Sequence, residues 1–171
     1  MSDYDKPGAL RMGHISQLLL CLYGARFSYV AIRNLRMYEE STKKAAKWSK
    51  VVEDHLFLTR TTQATAALTL IASGVSAIVM IAIPQYIPLG LQLSISPLML
   101  VGILFARNHV RKYWAPYKNS KGKDVSTRVP LPLMEEYNEA EEMTERLLEV
   151  LSYLEYSWLA TSVCLGIGFR Y

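Results

Sequence analysis

From Thr61 to Ala106 the chain contains no Asp, Glu, Lys, Arg or His, an uncharged run of 46 residues. A domain of 171 residues folded in water has no use for such a run, whereas about 20 helical residues cross the roughly 30 Å hydrocarbon layer of a bilayer. The run is two spans long, and Pro84-Gln85-Tyr86-Ile87-Pro88 near its middle supplies the turn.

Cysteine is nearly as scarce. Cys21 and Cys164 lie far apart, each within an apolar segment, with no CxxC spacing and no Cys/His cluster. That excludes a disulfide framework and a zinc site, and both thiols read as small buried hydrophobes. Nucleotide and hydrolase signatures are missing too: there is no GxGxxG, P-loop, GxSxG, HExxH or DDxxD pattern. No metal centre and no cofactor is expected. The apolar stretch 18–23 runs into Gly24-Ala25-Arg26-Phe27 without a small-residue cleavage site, so a cleaved signal peptide is not expected. No prenylation, retention or peroxisomal tail is present at Gly168-Phe169-Arg170-Tyr171.

What is present is segregated. Hydrophobic residues make up 51% and charged residues 20%, with a formal net charge of +4. The basic residues sit in loops between apolar stretches, which membrane topology explains without nucleic acid. The pattern predicts an all-α fold, a single integral membrane domain over 1–171 with four transmembrane helices at about 10–32, 61–83, 88–106 and 147–169. Helices 2 and 4 extend beyond the bilayer, through the lead-in near Trp48 and the acidic stretch after Met134. Small residues along the second span (Ala64, Ala66, Ala67, Ala72, Ser73, Gly74, Ser76, Ala77) permit close helix approach. Pro97 is expected to kink the third.

Orientation follows from Lys and Arg. The first connection, 33–60, carries seven, and the third, 107–128, carries another seven, while the turn between spans two and three has none. The positive-inside rule then places both basic loops in the cytosol and both termini in the lumen, with the endoplasmic reticulum as the expected multi-pass location. The segment 119–124 reads as an exposed loop. Glu135, Glu136, Glu139, Glu141, Glu142 and Glu145 read as a solvated face suited to a helix N-terminus, with a docking surface as the alternative.

Ionisable groups inside a membrane are costly and each is a functional hypothesis. Arg26 lies seven residues before Arg33, about 10 Å deep, and Glu155 lies eight residues after Leu147, about 12 Å deep from the same side. Opposite in sign and matched in depth, they are expected to face the bundle interior and meet. The pair either fixes helix packing or forms a catalytic centre in which Arg26 holds Glu155 ionised as a base or binds a substrate oxyanion. Tyr23 and Tyr29 flank Arg26, and Ser152 and Trp158 flank Glu155, at three-residue spacing that shares a helix face. These could line a pocket for a flat lipophilic ligand, or belong to an interfacial aromatic belt. A second polar group, His55, Arg60 and Gln63 with Asn108 and His109, gathers at the cytosolic mouth. His14 stands alone and reads as a packed or capping residue.

Ala46-Lys47-Trp48-Ser49-Lys50 before span two, Ser96-Pro97-Leu98-Met99-Leu100 and Arg107-Asn108-His109 on span three, and Ser157-Trp158-Leu159 ahead of Cys164-Leu165-Gly166-Ile167-Gly168 form a layout. It resembles the anthrone oxygenase-like family, small four-helix membrane proteins of fungal polyketide pathways. The resemblance covers most of the chain and implies oxidation or cyclisation of a lipophilic polyketide-like or aromatic intermediate. It implies that Asn108 and His109 polarise the substrate at the mouth, with Arg26 and Glu155 acting deeper. The expected partners are the bilayer, a lipophilic small molecule, and membrane proteins or further copies of the chain. A non-catalytic scaffold or assembly subunit is the alternative reading.

Overall fold

A computed structural model describes residues 6–46, 50–114, 117–118, 124–125 and 135–168, with side chains for all of these except 6–7, 41–46, 51–53, 55, 117–118 and 124–125. Four helices carry the fold: α1 Lys6–Ala46, α2 Lys50–Ala82, α3 Leu89–Trp114 and α4 Glu135–Gly166. The turn between α2 and α3 is a single 3-10 turn, Pro84–Tyr86, followed by Pro88. Gln92 closes it, its Nε2 donating to the carbonyls of Pro84 (2.7 Å) and Ile87 (2.8 Å).

The helices form a ring in chain order, α1 packing along α2 and α4, and α3 along the same two. Neighbours run antiparallel. Glu39 meets Arg60 near one end of α1 and α2 while Gly74 approaches Cys21 further along. Likewise Tyr38 packs on Tyr137 at one end of α1 and α4, and Gln17 bonds Thr161 towards the other.

One spacing organises the interior. On α1 the buried positions include Leu10, His14, Gln17, Cys21, Gly24, Ser28, Ala31 and Leu35, with Phe27 and Asn34 beside them; on α2 they include Leu56, Thr59, Gln63, Ala66, Leu70, Ser73, Ala77 and Met80. On α4 they include Tyr137, Ala140, Thr144, Leu147, Leu151, Leu154, Trp158, Thr161 and Leu165, and α3 contributes Ser96, Ile103, Ala106, Val110 and Trp114. Steps of three and four alternate, a 3.5-residue repeat that keeps one seam of each helix inward and coils the bundle left-handedly. Gly24 marks the tightest crossing, because a Cβ there would lie 3.0 Å from both Leu70 and Val150.

The seam is polar for a bundle interior, and its polar groups tie the helices together. Gln17 Nε2 donates to Thr161 Oγ1 (3.0 Å), Gln63 Nε2 to Thr144 Oγ1 (2.7 Å), Trp114 Nε1 to Thr62 Oγ1 (3.0 Å) and Trp158 Nε1 to Ser73 Oγ (2.8 Å). Outward positions carry the large apolar side chains instead, among them Leu68, Ile71, Leu98, Val101 and Phe105. That inversion suits a lipid surround, where apolar contact between helices brings no hydrophobic gain.

Among the described residues three helices are long and apolar enough to cross a membrane, within Gly8–Glu40, Leu56–Ala82 and Leu89–Trp114. The expected fourth span does not meet that measure, because Glu149 and Glu155 join Ser, Thr and Tyr residues along the apolar part of α4. Two extents also differ from expectation. α1 continues as helix to Ala46, so it too projects beyond its apolar part, and α3 continues to Trp114 rather than ending near Ala106. Between α3 and α4, a two-residue β1 (Tyr117–Lys118) pairs antiparallel with β2 (Asp124–Val125), flanking the expected loop.

Candidate functional site

The expected pairing of Arg26 with Glu155 does not occur. Arg26 is exposed, whereas Glu155 is paired with Arg107 of α3, both side chains being mostly buried. The reason lies in the seam. Gly24 and Ser28 face inward on α1, so position 26, midway between them, points away from the bundle. Equal depth along two helices places residues at one level but says nothing of the direction each faces.

Arg107 is the residue that sequence reasoning missed, because it reads as the first charge after span three. The helix continues for two turns beyond it, which leaves its guanidinium within α3. Side chains lean towards the N-terminus of their own helix. In antiparallel α3 and α4, the arginine and the glutamate therefore lean towards each other.

The remaining expected site residues scatter. Asn108 is exposed, and His109 is half-buried with its ring stacked on Phe105 at 6.2 Å between centroids. Tyr29 is exposed, and the Ser152 hydroxyl is spent locally on the Leu148 carbonyl at 2.9 Å. Trp158 is fully buried against His14 as part of the seam. The side chain of His55 lies outside the described residues, as does Trp48. The proposed acid–base set of Arg26, Glu155, Asn108 and His109 thus shares no common space.

Two other groupings do form. A cleft of about 500 Å³ opens between α1 and α2 at the end that carries the basic loop. Ile32, Leu35, Leu56 and Ala64 give it apolar walls, Arg36, Glu39, Glu40 and Arg60 a charged rim, and Gln63 part of its lining. Arg60 Nε donates to Glu39 at 2.9 Å, and its terminal nitrogen reaches the other carboxylate oxygen, a two-pronged ion pair. Gln63, held by its bond to Thr144, leaves Oε1 buried without a hydrogen-bond donor. Arg60 and Gln63 therefore line one cleft, while Asn108 and His109, expected beside them, are not in its lining; the cleft could accept an amphipathic molecule bearing a hydroxyl or ammonium donor.

The second grouping is a groove of about 320 Å³ between α1 and α4, lined by Tyr23, Arg26, Phe27 and Val30 against Glu139, Met143 and Arg146. Tyr23 stands edge-on to Phe27 at 4.7 Å between centroids. Neither cleft includes Glu155. Among the described residues no group of three or more His, Cys, Asp and Glu side chains is arranged to hold a metal ion.

No family model, curated protein or solved structure matches this chain.

Proposed function

We propose that this chain is a four-span membrane protein whose work is assembly: a rigid bundle that holds neighbouring proteins in and beside the bilayer. The observation that carries this reading is the filled interior. On α4 the seam residues on either side of Glu155, Leu151, Leu154 and Trp158, are fully buried, and neither of the two clefts has that carboxylate in its lining. A buried ion pair of this kind adds little net stability yet specifies which helices adjoin.

Two observations support a fourth span. α4 packs along α1 and α3, both apolar enough to cross a membrane, and the half-buried carboxylate in its apolar part, Glu155, is neutralised by Arg107. The two loops of seven Lys and Arg each favour a cytosolic position for the ends of α1 and α3 and the start of α4, with both termini lumenal.

Cross-linking in native membranes, followed by mass spectrometry of what the chain is bound to, tests the proposal. Stoichiometric protein neighbours, together with loss of protein level and assembly in Glu155→Gln, are expected. Normal level and assembly in that variant, with a lipophilic metabolite left unconverted, would instead favour an enzyme.

That second reading, oxidation or cyclisation of a polyketide-like or aromatic intermediate, is favoured by one feature. Gln63 offers an unpartnered buried acceptor within the α1/α2 cleft, where a phenol or enol hydroxyl could bond. Gln63→Leu should then abolish turnover while leaving the bundle folded.

A further inference from the structure

Gly24 of α1 lies against Leu70 of α2 and Val150 of α4, which fixes a common level on three helices. Leu70 is ten residues beyond Arg60, inside the uncharged run, so this level is about 15 Å below the charged edge at Arg60. Arg26 is two residues and Glu149 one residue from the level, both towards the basic end, which puts them within about 2 Å of each other in height. Both are exposed. Each stands midway between two seam positions, Arg26 between Gly24 and Ser28 and Glu149 between Leu147 and Leu151, so each points away from the bundle. Among the described residues neither takes part in an ion pair.

Near this level the outward side chains of α2 are apolar, Leu68 and Ile71 among them, and hydrocarbon suits that face. It does not suit an unpaired guanidinium and an unpaired carboxylate on the α1/α4 face, where each is costly.

We propose that the α1/α4 face is covered by a second copy of this chain, related by a two-fold axis along the bundle. Such an axis preserves height and makes the interface isologous, so Arg26 of each copy meets Glu149 of the other. Two ion pairs form, and neither Arg26 nor Glu149 is left unpaired against lipid. The face is complementary to itself, one positive and one negative group at equal depth, which is why a second copy is its occupant. Exposed Tyr23 and Tyr153, beside these charges, add aromatic area and hydroxyls suited to an interface. The inference rests on α4 sharing the bilayer with α1.

The test is the oligomeric state of the full chain in lipid vesicles, counted by single-molecule photobleaching across a range of protein-to-lipid ratios. The unmodified chain should dimerise. Arg26→Glu alone and Glu149→Arg alone should each weaken the dimer by about a hundredfold, and the double exchange should restore it. Arg26→Gln and Glu149→Gln serve the same purpose should the reversals fail to fold, since neutral side chains lose the pairs without repulsion.

A chain that stays monomeric at every ratio overturns the proposal, as does a dimer indifferent to the single exchanges. A different protein recovered in stoichiometric amount on this face also overturns it. Labelling of single cysteines at Glu139 and Gly168 separates the two failures. Opposite-side labelling with no dimer rejects only the interface, whereas same-side labelling removes the fourth span beneath both.

Discussion

Arg107 and Glu155 stand 48 positions apart in the chain, on α3 and α4, and form a half-sheltered ion pair. Removing one partner leaves the other charge enclosed without compensation. Arg107→Leu should lower unfolding free energy by about 3 kcal/mol, and Arg107→Leu combined with Glu155→Leu should recover most of the loss. Denaturant titration in a fixed detergent measures both. Equal losses in the single and double variants would show that the pair does not act as a unit.

The pair of Arg60 and Glu39 should behave differently. Arg60 is largely exposed, and an ion pair open to water is screened and contributes little. Arg60→Ala should leave the melting temperature within measurement error, even though its two-pronged geometry looks the stronger of the two.

Trp158 ties α4 to α2 through Ser73. Trp158→Phe loses the donor and shrinks a fully buried ring, so it should cost more than about 0.6 kcal/mol, the average for hydrogen bonds between helices in membranes. Ser73→Ala, which loses only the acceptor, should cost about 0.6 kcal/mol, and the double variant should cost less than the sum of the two. Trp158→Ala removes the ring as well and should cost several times as much.

At Gly24 two effects oppose each other. Alanine gains up to about 1 kcal/mol of helix propensity over glycine. Its methyl group would meet the ends of the Leu70 and Val150 side chains at 3.0 Å, and these have to shift. Gly24→Ala should therefore be nearly neutral, while Gly24→Leu forces α1 away from α2 and α4 and should abolish the folded bundle. Thermal melting of the two variants, side by side, reads the difference.

The membrane-compatible stretches and the turn at Pro84 were legible because a missing charge and a proline act locally. The seam was not. Hydrophobicity marks a seam only when the outside is polar, and here the inward positions include His14, Gln17, Gln63, Ser73, Thr144 and Thr161 while the outward ones include many Leu, Ile and Val. A seven-residue repeat of polar and small residues on α1, α2 and α4 was the available signal. Without it, depth could be estimated for Arg26 and Glu155 but not direction, and the wrong arginine was matched to the glutamate. Arg60 and Gln63 line one cleft because three residues along one helix share a face whatever the seam. The resemblance drawn from Trp48, Asn108 and Trp158 finds one of its residues outside the described set, one on the surface and one in the interior.

The uncharged stretch from 61 to 106 has a bearing on biogenesis. The α2–α3 hairpin carries no charge from 61 to 106 and a single sheltered one, Arg107, just beyond, whereas α4 brings the carboxylate that this arginine pairs with. On the four-span reading, Arg107 is the receptor that admits the last helix, so the hairpin enters first. A chain lacking α3 would then strand α4 at the membrane surface, still synthesised but never threaded.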